Sequence, residues 1–315
     1  MAIVNGRPGR QQDPYADARR RLQAALAREQ LREHTAPGID ELLAQVMELA
    51  PLPAVAHRIL ELSDDQRFSA HGLASIIASD QALTTRLLRL ANSAYYGAPR
   101  RIGTVRDAVV LLGFRAVQQV ALASCIMQNH RPAPHLDYDR FWQFSVTTAL
   151  LAEVLARTEG EHVDLAFTAG VIHNVGLLAL DQHRPDLLRE ALARAKSDQT
   201  SLHEAERALL GYTDADLGGA LAEHWNFPAP LVAAVRDHGR LLDDPPEAGS
   251  LAAHVMRARI FARSYGLSDG LEGRPDAPPS AEDWQKPPLS ISLEHAGGMD
   301  TILKRAEAFL EASLR

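Results

Sequence analysis

The chain has 315 residues, 46% of them hydrophobic and 23% charged, with a formal net charge of −7. That length suits about two domains with real cores, and the acidic balance argues against a nucleic acid or an anionic membrane surface as the main partner. The single cysteine, Cys125, excludes an intramolecular disulfide and a cysteine-built zinc site.

Alanine and leucine recur throughout while aromatics make up only 5%, so an all-α fold is expected. Residues 1–13 are rich in Gly, Pro and Gln and are expected to be disordered, followed by a polar amphipathic helix over 14–33. Its arginines alternate with acidic residues, which reads as a solvated face. "IDELLAQVMELA" (39–50) has apolar residues at helical spacing, "PLP" (51–53) stops it, and "AVAHRILEL" (54–62) repeats the period. Short helices follow at 69–80 and 80–97, with Ser69 and Asp80 as N-caps and "NSAYYGAP" as the stop, where Asn92 and Gly97 tolerate the left-handed conformation. Tyr95 and Tyr96 are expected to pack the end of that helix. "TVRDAVVLLG" (104–113) opens with Thr104 and Asp107 in a variant of the capping box, and "FRAVQQVALASCIM" (114–127) buries Cys125 as a structural thiol.

"NHRPAPHLDYD" (129–139) is the clearest boundary. Beyond it, helices are expected at 139–157, 164–181, 185–197, 201–210, 214–225, 229–239 and 248–266. Residues 267–298 are Pro- and Gly-rich and read as an irregular loop, and 299–315 as a closing helix. The organisation is then two packed helical subdomains, 36–130 and 137–266, with a terminal helix at each end. No signal-length apolar start and no apolar run of ~18 residues is present, so a cytoplasmic chain without a membrane span is expected.

Several blocks, in order, resemble one family. "LAPLPAVAHRILEL" (49–62), "ASIIASDQALTTRLLRLANSAYYG" (74–97), "TVRDAVVLLGFRAV" (104–117), "AGVIHNVGLLAL" (169–180) and "LGGALAEHWNFPAPLVAAVRDH" (217–238) are similar to the HDOD family. These are HD-related output domains of bacterial signalling proteins. The resemblance covers about 49–240, with Gln81 where the family usually has Pro. It implies a second subdomain that is a degenerate relative of metal-dependent phosphohydrolases of the HD type. It also implies a regulatory or scaffolding role.

The residues bear on that implication. HD hydrolysis needs an early His, an adjacent His–Asp pair and a later Asp, holding a metal that acidifies water. Here Phe144 stands where catalytic relatives carry the early ligand. The doublet is His173–Asn174, whose amide offers a hard cation only a neutral oxygen. Asp214 stands where relatives often have His, and His238 is the remaining polar survivor. The expectation is therefore no catalytic residue, no metal and no cofactor. His173 and Asn174 become a buried hydrogen-bonded pair, with Asn174 joining Asp214 or His238. Partners are expected to be other signalling proteins, not nucleic acid or membrane, with self-association left open. The alternative is a residual phosphohydrolase acting on a nucleotide or cyclic dinucleotide.

Overall fold

A computed structural model describes residues 38–49, 53–64, 70–93, 95–98, 101–128, 134–240, 245–271 and 281–314. The helix expected at 14–33 and the cap expected at Ser69 lie outside these residues. Helices in the first half are α1 (Ile39–Leu49), α2 (Ala54–Asp64), α3 (Ala70–Ala78), α4 (Gln81–Ala91), α5 (Val105–Leu112) and α6 (Phe114–Gln128). The second half holds α7 (Tyr138–Glu159), α8 (Val163–Ile172), α9 (Val175–His183), α10 (Pro185–Asp198), α11 (Leu202–Leu210), α12 (Asp214–His224), α13 (Ala229–Asp237) and α14 (Leu251–Ser264). A 3-10 turn (Glu282–Gln285), α15 (Leu289–His295) and α16 (Gly298–Leu314) close the chain. The only extended pairing among the described residues is an isolated antiparallel bridge, Leu136 to Leu271.

Local chemistry explains the starts. The Asp80 carboxylate accepts from the Leu83 amide at 2.9 Å, and the Thr104 hydroxyl accepts from the Asp107 amide at 3.0 Å while donating to the Asp107 carboxylate at 2.8 Å. Full capping boxes open α11 (Ser201 with Glu204) and α12 (Thr213 with Asp216). Of Asn92 and Gly97 at the end of α4, Gly97 adopts the left-handed conformation, with φ 56°. Asn92 does not: its side chain donates to the Ile102 carbonyl at 2.8 Å and accepts from the Ile102 amide at 2.7 Å, tying the loop down instead.

The second half is built around α7. Residues 144–152 of this helix are buried on every side, because α8, α14 and α16 all pack against it. Its start is fixed by Asp137, whose carboxylate accepts from the Arg140 amide at 3.1 Å, and by the preceding linker. There the wholly buried Asp181 accepts from the His135 and Leu136 amides, each at 3.0 Å. Within the first half α2 to α6 pack on one another, whereas α1 packs on α9 and α12 of the second half.

Two expectations change. The helix expected over 164–181 is two helices, α8 and α9, interrupted at His173 and Asn174. The stretch 267–298, expected to be loop, contains the 3-10 turn and α15. Trp284 in that turn stacks on Phe261 of α14 at 4.3 Å and 4°, and Arg257 joins Glu159 (2.5 Å) to Asp283 (2.9 Å). An aromatic stack and a charge bridge order a segment whose prolines and glycines suggest none.

Candidate functional site

The interruption between α8 and α9 sets the site. At Gly170 an added Cβ would run into the Ala149 backbone, so α8 lies hard against α7. At Gly176 it would run into the Asp214 carbonyl and the Gly218 amide, so α9 lies hard against α12. Two close crossings in different directions are met by breaking the helix between them. The doublet sits at the break: His173 is fully buried and Asn174 is 1% exposed.

His173 Nδ1 lies 2.7 Å from the Gly170 carbonyl, and His238 Nδ1 lies 2.7 Å from the Val235 carbonyl. A carbonyl only accepts, so each Nδ1 carries the proton. The two rings stand edge to face, 5.0 Å apart, and neither Nε2 has a hydrogen-bond partner among the described residues. Burial, reinforced by the Arg259 guanidinium, pushes His173 down to about 3. The same two causes hold His238 well below its ordinary value, with His173 adding to them and Asp214 opposing. Both imidazoles are therefore neutral, with bare Nε2 lone pairs.

Around the doublet stand an aromatic ring, two guanidinium groups and the buried Asp269 carboxylate. Phe144, wholly buried, lies with its ring 5.7 Å from the His173 ring. The Arg263 guanidinium carbon is 5.7 Å from the same Phe144 ring, and Arg263 pairs with buried Asp269 at 2.6 Å. So the Phe144 ring, at the position expected from the resemblance to lack the early ligand, is held between an imidazole and a guanidinium. This donor set does not fit the metal that HD hydrolases use. It has two neutral imidazoles, one neutral amide, no donor at Phe144, and Arg259 close enough to depress both histidines.

The expected polar survivors are only partly brought together. His173 and His238 meet. Asn174 does not join Asp214 or His238 in a hydrogen bond; its Nδ2 has no partner among the described residues. Asp214 turns the other way, with its Oδ1 2.7 Å from His203 Nε2, while its amide donates to Glu206 Oε2 at 3.0 Å. His203 and Glu206 were not singled out from the sequence. The available signal was their i, i+3 spacing just inside a capped helix start, which places both on one face. Tyr95 packs as expected, against Phe167 and Phe309. Cys125 is buried, and burial pushes its thiol up to about 12, out of reach of nucleophilic chemistry near neutral pH.

Comparison with known proteins extends this picture. Over 219 residues the chain is 26% identical to an uncharacterized protein of Treponema pallidum; that match takes in 67% of the chain but only 42% of the relative's length. Among solved structures, an HDOD domain protein with unknown function from Geobacter sulfurreducens matches with a TM-score of 0.65 and 23% identity, over 87% of this chain and 93% of that one. The "Putative signal transduction protein" of Marinobacter aquaeolei VT8 matches with a TM-score of 0.68 and 24% identity, over 96% of this chain and 66% of that one. The "Putative phosphohydrolase" of Shewanella amazonensis SB2B matches at 0.63 and 25% identity, over 86% and 94%. The HDOD domain pattern itself matches residues 49–241, more than half of the sequence. This chain therefore belongs to the HDOD domain family.

Proposed function

We propose that this chain is a non-catalytic regulatory or scaffolding module of bacterial signal transduction that works through protein–protein contacts. One observation carries the reading. The pocket that would hold a hydrolytic metal has Phe144 and Asn174 at ligand positions and the charge of Arg259 beside its two histidines. A divalent cation entering it would gain no anionic ligand from the doublet. Membership of the HDOD family, and the likeness to a Marinobacter protein named for signal transduction, support the signalling role.

The test is turnover of cyclic dinucleotides and nucleotides by the purified chain with Mn2+ or Fe2+. The expected result is no product above that formed by a His173→Ala variant. Reproducible turnover that disappears in His173→Ala would overturn the reading. A second reading, a residual phosphohydrolase, is favoured by the unpartnered Nε2 atoms on two buried rings 5.0 Å apart and by the likeness to the Shewanella protein. The same assay decides between them. Affinity capture with mass spectrometry would then identify the signalling partners that the first reading requires.

A further inference from the structure

We propose that His203, Glu206 and Asp214 form a binding site for a divalent first-row transition cation, adjacent to the degenerate His–Asn pocket and separate from it. Each residue offers one ligand atom, and these atoms all lie within 4.8 Å of one another. Two come from one face of α11 and the third from the first residue of α12, so two capped helix starts hold the set in place. Rigid elements of this kind position ligands better than a loop does.

Burial is the first physical argument. Glu206 is wholly buried and Asp214 is 3% exposed. A cation held between two buried carboxylates offsets their mutual repulsion. The His203 imidazole is in position to be a co-ligand. Its Nδ1 faces the Gly239 carbonyl at 3.3 Å, which is the outer contact that fixes a ligating ring and leaves Nε2 for the ion. That Nε2 lies 2.7 Å from Asp214 Oδ1.

A second observation is independent of the acidic pair. His238 is wholly buried, and its Nδ1 is committed to Val235. Its Nε2 has no hydrogen-bond partner among the described residues, and its ring lies 6.3 Å from that of His203. A buried donor atom without a hydrogen to accept is what a nearby cation would satisfy. The route in is also present. His203 lines a cavity of about 670 Å³ together with Ser201, Arg207, Thr213 and Arg236. Of the three arginines that line it, Arg207 and Arg236 have their charges met by Asp216 at 3.6 Å and Glu223 at 3.0 Å. One imidazole nitrogen with two carboxylate oxygens is the donor set of Zn2+ or Mn2+, with a position left for water.

The experiment uses the whole chain, stripped with a chelator and dialysed, then titrated separately with Zn2+ and Mn2+ by calorimetry. Thermal melts are run in parallel. The expected result is about one ion per chain with at least one of the two metals, and a raised Tm on binding. Glu206→Gln and Asp214→Asn, close in shape to the native residues, should each weaken binding by about tenfold or more. His173→Ala should leave it within about twofold, because that ring belongs to the other pocket. If a buried variant fails to fold, His203→Gln tests the same point at the most exposed member of the set. An unmodified chain that takes up neither ion overturns the proposal. So does a chain whose binding survives Glu206→Gln, Asp214→Asn and His203→Gln, or one whose binding is lost in His173→Ala.

Discussion

His173 and His238 are kept neutral by burial and by the Arg259 guanidinium, and this has a consequence for stability. Each would titrate near 6.5 once the chain unfolds. Between that value and about 3, where His173 titrates in the folded chain, the unfolded state binds more protons. Stability is therefore full above about pH 6.5 and falls as the pH drops toward 3. At pH 5 the loss from His173 is expected to be about 2 kcal/mol, and His238, held below its ordinary value by burial, adds a loss of the same sign. Urea melts at about pH 7.5 and pH 5 measure it, and His173→Gln should remove the His173 part, about 2 kcal/mol of the difference. Gly176 is the other telling residue. Its missing side chain lets α9 meet the Asp214 carbonyl and the Gly218 amide, both backbone. Gly176→Ala is expected to cost about 3 kcal/mol or more, since backbone on both sides cannot yield as a flexible side chain would. A melt no lower than that of the native chain would show that the crossing can open.

At the scale of elements, the decisive features are the break between α8 and α9 and the anchoring of the linker before α7. The break follows from two glycine crossings that pull one apolar run in two directions, and its apolar periodicity carries no trace of it. The linker depends on Asp181. This buried carboxylate takes two backbone amides and sits 2.7 Å from the His135 ring. Asp181→Ala would leave amides at the entry to α7 without their acceptor, at a cost of about 3 kcal/mol. Hydrogen exchange at His135 and Leu136 should speed up before the rest of α7 is affected. If those amides stay protected, some other group holds the linker.

For the whole molecule, one aromatic cluster joins three parts of the chain. Tyr95 follows α4, Phe167 lies on α8 and Phe309 on α16, with ring centroids 5.3 to 6.4 Å apart. Phe309 is fully buried and Phe167 is 1% exposed. The closing helix α16 thus packs on α4, α6 and α7 at once and ties the first half to the second. Phe309→Ala is expected to destabilise by about 3–5 kcal/mol. If the halves fold as one unit, circular dichroism and tryptophan fluorescence should report a single shared transition in both the native chain and this variant. Two separated transitions in Phe309→Ala would mean that the cluster is what couples them.

Much of this was open to reading from residues alone. Apolar spacing, Asp80, Thr104 and the two capped starts are local signals, and each acts within a few residues of where it is written. They determined the helical class and most helix starts, and the identity of residues 144 and 174 carries the expectation that the hydrolytic ligand set is incomplete. The partners of the polar groups were decided only by tertiary structure. Arg259 and Arg263 come to the doublet from about ninety residues further along the chain, Asp214 turns to His203 and not to Asn174, and Asp181 reaches back to the linker. Helical periodicity says which face of an element is buried but not which other face it meets. Charge and hydrogen-bond pairing across that contact exist only once the helices have packed.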